Sequence, residues 1–166
     1  MKKIAQGGLL VAVALVLSLV EKMFPLQAVV PIPGIKLGLA NVVTLFALTL
    51  LGTQAALTIL LCRVTLASIF MGSITGFLFS LFGGLLALLV MRLLLLREDR
   101  WFSLVGVSIG GAATHNIGQI GAAILTLGTL NVAAYLPLLL VSSIPMGWVT
   151  GLTASAVLNH WKKIRF

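Results

Sequence analysis

Six residues of this 166-residue chain carry polar chemistry inside or beside apolar runs: Lys36, Asn41, Arg63, His115, Asn116 and Gln119. Lys36 and Asn41 belong to the stretch Pro31-Ile-Pro-Gly-Ile-Lys-Leu-Gly-Leu-Ala-Asn41, where one hydrophobic run gives way to the next. A plain connector needs only polarity and a turn. This one carries a cation and an amide into an apolar segment, where unpaired polar groups are costly. It reads as a lip over a binding cavity, with Pro31, Pro33 and Gly34 shaping the gate.

Arg63 stands near the middle of an apolar run, and no acidic residue lies within any run to pair with it; Glu21 and the Glu98-Asp99 pair sit at edges. A guanidinium at bilayer depth costs at least about 2.5 kcal/mol, so Arg63 must face a bundle interior or a wet cavity. Its partners are helix carbonyls, polar side chains, water or a bound anion. His115 and Gln119 are four apart and share a helix face, with Asn116 about one-third of a turn round. Gly110, Gly111 and Gly118 flank them and leave room for a ligand or a neighbouring backbone. The cluster reads either as the lining of a pocket or as an interhelical polar clamp that needs no ligand. Cations and amides without carboxylates favour an anionic or strongly hydrogen-bond-accepting ligand over a metal or an organic cation.

Catalytic signatures are missing from the sequence. It has no glycine-lysine-serine phosphate loop, no histidine pair at metal spacing and no nucleophile beside a base. Diphosphate chemistry holds Mg²⁺ through clustered carboxylates, and the only aspartate here is Asp99. Cys62, the single cysteine, lies in an apolar run, which excludes a disulfide or a cysteine metal site within one chain. No cofactor and no resident metal are expected.

The elements that position these residues are membrane helices. The chain is 60% hydrophobic and 8% charged, with a mean hydropathy of +1.21. A soluble domain carries charge on about a quarter of its residues. Apolar runs cover residues 4–20, 37–51, 53–71, 74–96, 102–127 and 132–158, each near the roughly 20 residues that cross a bilayer. Pro137 and Pro145 in the last run predict a kink or a re-entrant start. The N-terminal run shows no small-residue cleavage site and reads as a retained first helix. Lys2 and Lys3, the Arg92, Arg97 and Arg100 group, and Lys162, Lys163 and Arg165 fall on one side of a six-span bundle. Only Lys22 and Lys36 fall on the other, which places both termini in the cytoplasm. The net charge of +8 is therefore a topology signal, and nucleic acid is not an expected partner. The expected fold is a single all-α transmembrane domain over residues 1–166, a compact bundle of six helices in contact with membrane lipid. Small residues at four-residue spacing mark candidate close helix contacts: Gly8 with Ala12, Gly106 with Gly110, Gly118 with Ala122, and Gly147 with Gly151 and Ser155.

Several of these motifs carry a resemblance. Pro33-Gly-Ile-Lys-Leu-Gly-Leu-Ala-Asn41, the Arg63 helix, Phe79-Ser-Leu-Phe-Gly-Gly84 and Gly110-Gly-Ala-Ala-Thr-His-Asn-Ile-Gly-Gln119 resemble the bacterial membrane family labelled Gx transporter. That family is also labelled heptaprenyl diphosphate synthase component I, and the resemblance spans nearly the whole chain. The family is similar in turn to the substrate-binding S components of energy-coupling factor (ECF) transporters. The resemblance implies a multi-pass protein of the bacterial cytoplasmic membrane whose first connection, Pro31 to Lys36, gates an outward-facing pocket. It also implies a partner-docking surface on the first helix, with Gly8 and Ala12 in place of the usual alanine pair, for an energy-coupling membrane subunit bearing two ATPases.

The leading expectation is capture and uptake of a small molecule, with Lys36 and Arg63 supplying charge and Asn41, His115, Asn116 and Gln119 supplying hydrogen bonds. The alternative is a non-catalytic membrane subunit associated with polyprenyl diphosphate or quinone synthesis. A third reading is a secondary transporter with His115 as its proton site.

Overall fold

The structure is a computed structural model that describes residues 2–23, 36, 38–96 and 102–164. Six α-helices account for most of it: α1 (Lys2–Lys22), α2 (Asn41–Leu50), α3 (Thr53–Met71), α4 (Ile74–Leu95), α5 (Leu104–Leu127) and α6 (Leu136–Ile164). A 3-10 helix, Leu130–Tyr135, leads into α6, and no β-strand occurs among the described residues.

Local chemistry explains where these helices begin and end. Ser73 and Ser103 stand just before α4 and α5, and their hydroxyls accept from the N–H groups of Gly76 and Gly106. Each satisfies one of the orphan donors of a first turn. Helices α3 and α5 stop at Gly72 and Gly128, both in the left-handed region that lets a chain leave a helix without strain. Helix α2 begins at Asn41 rather than at residue 37 because Gly38, with φ +85°, turns the chain before it. The last apolar run divides: residues 130–135 coil into the 3-10 helix and α6 proper starts at Leu136. Pro137 falls in the first turn of α6, where a missing N–H leaves no bond unmade. Pro145 lies inside α6 and removes one internal bond.

Four stretches are long and apolar enough to cross a bilayer: Ile4–Glu21, Thr53–Phe70, Ile74–Leu95 and Leu130–Trp161. Helix α5 has the length, at 24 residues, but Ser108, Thr114, His115, Asn116 and Gln119 dilute its hydropathy. The outer faces are apolar: Ile4, Val16, Leu89, Val141 and Trp148 are all exposed. So broad an apolar surface would drive aggregation in water and suits lipid. The chain is an all-helical, multi-pass membrane protein.

The short α2 contacts every other helix. Leu45 and Ala47 from it join Leu60 and Val64 of α3, Ala87 and Met91 of α4 and Val107 of α5 in one apolar core. A second cluster gathers Phe79, Ile120, Ala123, Val132 and Leu139 where α4, α5 and α6 meet. Those three helices pack backbone against backbone. A Cβ on Gly118 would lie 2.7 Å from the Gly83 Cα, and one on Gly147 would lie 2.5 Å from the Ile109 Cα. This close packing fixes α5, and with it the polar residues that α5 carries.

Candidate functional site

Helix α5 presents His115 and Gln119 one turn apart, as i,i+4 spacing requires, and both are buried. The Gln119 amide forms a two-point pairing with the backbone of Lys36. The Lys36 N–H donates to Oε1 at 3.0 Å, and Nε2 donates to the Lys36 carbonyl at 2.9 Å. A side-chain amide thereby does for one extended residue what a neighbouring strand would do. Because Oε1 is committed to a donor, Nε2 is the atom that faces His115, at 2.6 Å from its Nε2. That imidazole nitrogen must accept, which puts the ring proton on Nδ1. The ring has space because two backbones lack side chains there: a Cβ on Gly38 would lie 3.1 Å from it, and one on Gly83 would lie 2.9 Å from it.

Lys36 reaches a second helix. Its Nζ donates to the Ser80 hydroxyl of α4 at 2.9 Å. The segment after it is held from a third side, since Glu21, in the last turn of α1, accepts from the N–H groups of Gly38 and Leu39. Asn41, at the start of α2, lies against Gly38, and neither its Nδ2 nor its Oδ1 has a partner among the described residues. Arg63 enters from α3. It is 4% exposed, its Nε and Nη2 have no partner among the described residues, and it lies within electrostatic reach of Glu21 and His115.

Five of the six expected polar residues therefore converge: Lys36, Asn41, Arg63, His115 and Gln119. Asn116 turns elsewhere. Its Nδ2 donates to the Leu139 carbonyl at 2.7 Å, which clamps α5 to α6. Pro31, Pro33 and Gly34 lie outside the described residues. Gly8 and Ala12 are exposed on α1, and no atom lies within 4 Å of where a Gly8 Cβ would be. Gly8 lines an open apolar groove of about 520 Å³ between α1 and α3, with Gly7, Val11, Ala55, Ile59 and Cys62.

Buried amide, imidazole and guanidinium groups with unused hydrogen-bonding capacity are expensive, since each forfeits its hydration. Several such groups gather in this core, and groups of this kind are commonly satisfied by a polar partner or by water. The heptaprenyl diphosphate synthase component I family matches residues 10–157. The chain belongs to that family. No curated protein and no solved structure matches it.

The family match covers every element that supplies the polar core except the N-terminal end of α1. Three contributors to that core were not among the expected site residues. Glu21 reads in the sequence as an interfacial acid beside Lys22, and only the return of the chain at Gly38 brings it inside. Ser80 looks like any hydroxyl in a membrane helix. Gly83 acts through what it lacks, and a lone sequence does not reveal which neighbour uses the space. For Glu21 one signal was available: it is the sole acidic residue ahead of a long cation-bearing connection.

Proposed function

We propose that this protein is a non-catalytic membrane subunit that holds an anionic, hydrogen-bond-accepting group in the polar core around Arg63, in the service of a partner protein. One observation carries the reading: a buried arginine with two donor atoms that have no partner among the described residues. A buried guanidinium with unmet donors is costly, and an oxyanion is its natural complement. The family description supports an accessory role, since a component I implies a further component that carries the catalytic carboxylates. This favours the accessory reading over the uptake reading. In the arrangement proposed, residues 1–166 form one domain, all six helices lie within the bacterial cytoplasmic membrane and both termini are cytoplasmic. Lys36 lies against the site, paired with Gln119 and Ser80.

Gentle purification followed by mass spectrometry of retained small molecules tests this. Wild-type protein should carry a ligand, and Arg63→Gln should lose it while remaining folded. Retention of the same ligand by Arg63→Gln would overturn the assignment. Affinity capture then asks whom the ligand serves: a soluble, aspartate-rich prenyl synthase is the expected companion.

The uptake reading keeps one observation in its favour. The Lys36 segment is pinned to α1, α4 and α5 over the polar core, as a gate over a captured molecule would be. Capture of paired ATPases, with loss of uptake on deletion, would move the assignment to an S-component-like transporter with Gly8 and Ala12 at its docking surface.

A further inference from the structure

Glu21 has no role in the proposed ligand contacts, yet it occupies the place where an anion is best received. Its Oε1 accepts from the N–H groups of two successive residues, Gly38 and Leu39. Consecutive backbone N–H groups that converge on one point form a small concave anion receptor. The positive φ of Gly38, +85°, belongs to the turn that aims them. Lys36 and Arg63 both act on the same carboxylate electrostatically. Arg63 nevertheless has no partner for its Nε and Nη2 among the described residues. The carboxylate thus satisfies the backbone half of the receptor and leaves the guanidinium half open.

We propose that Glu21 is a built-in competitor for the ligand: an oxyanion enters by displacing its carboxylate from Gly38 and Leu39 and engaging Arg63, and this releases these two residues from α1. The inference rests on the reading of the core as a ligand site. A phosphate or diphosphate suits the exchange better than a second carboxylate, because its additional oxygens reach the two backbone donors and the guanidinium together. The group can arrive free or on a prenyl chain. Displacement also detaches the last turn of α1 from the turn before α2, so a bound ligand would be signalled to the helix that is the least buried of the four long apolar spans among the described residues.

The test uses full-length protein in lipid nanodiscs, with inorganic pyrophosphate and farnesyl diphosphate titrated separately. Glu21→Gln keeps the side chain's size and removes its charge. It should tighten binding by about tenfold, the worth of one charge-assisted hydrogen bond, and adding Arg63→Gln should abolish that gain. Binding of both probes points to a free phosphate, and binding of farnesyl diphosphate alone points to a lipid headgroup. In wild-type protein, which needs no variant to fold, carboxyl-directed footprinting should label Glu21 more heavily once the bound probe expels it. If wild type binds a probe but Glu21→Gln binds no tighter and Glu21 labelling does not rise, the competitor role fails and the ligand site stands. If neither protein binds either probe, both readings fall.

Discussion

Glycine does opposite things on the two sides of this molecule. Between α4, α5 and α6, Gly83, Gly118, Gly147 and Gly151 let backbones meet, and a Cβ at any of them would fall within 3 Å of a neighbouring heavy atom. Between α1 and α3, Gly7 and Gly8 face open space. The first side is a jammed slab. The second is a groove open to whatever surrounds the protein. The polar core lies where these regimes meet, with His115 and Gln119 mounted on the slab and Glu21 on the loosely covered helix. A site assembled this way has one wall that cannot move and one that can.

Substitutions on the packed and on the open side test that contrast. Gly118→Val should be the most damaging, at about 3 kcal/mol in a detergent unfolding titration, because the Gly83 backbone has nowhere to retreat. A cost below about 1 kcal/mol would mean that the slab is not jammed. Gln119→Ala should cost about 2 kcal/mol, since it strips the Lys36 N–H and carbonyl of their partner in a part-buried place. Hydrogen exchange at Lys36 should quicken in the same variant, and unchanged exchange would show that α5 does not hold the segment. Asn116→Ala should cost about 1 kcal/mol. It loses only the bond to the Leu139 carbonyl, which also accepts from Ser142 at 2.8 Å. Ligand retention should survive, because Asn116 faces α6 rather than the core. Gly8→Ala should change stability by no more than about 0.5 kcal/mol, as substitutions away from packed features do. A large loss in the isolated protein would show that α1 is buried after all, whereas a loss confined to partner capture would mark the groove as a docking surface.

Small-residue spacing illustrates how far a sequence can be read. Gly118, Gly147 and Gly151 make the close contacts their spacing advertises, while Gly8 meets nothing and Gly106 lies near only Ser103 and Phe102, just before its own helix. Spacing states that a backbone could approach; whether one does depends on which helix lies opposite. The polar residues show the same limit. His115 and Gln119 were legible as a shared face because helical periodicity places them there. Asn116, one residue away, is carried by that periodicity to the α6 side and becomes a clamp. Glu21 was illegible as a core residue, because its burial depends on contacts with Gly38 and Leu39, far along the chain, that no local pattern encodes.

Local chemistry along the chain is enough to specify the membrane class, the helices and their approximate ends, since hydropathy and proline–glycine punctuation act over a few turns of chain. It also specifies that Lys36, Arg63 and His115 need partners, because the cost of desolvating them is local to each group. Helix packing establishes that these residues face one another, that Glu21 joins them and that Asn116 does not. Those outcomes depend on helix-to-helix register, which the Gly83–Gly118 contact and the turn at Gly38 set across distances in the chain that no local preference spans.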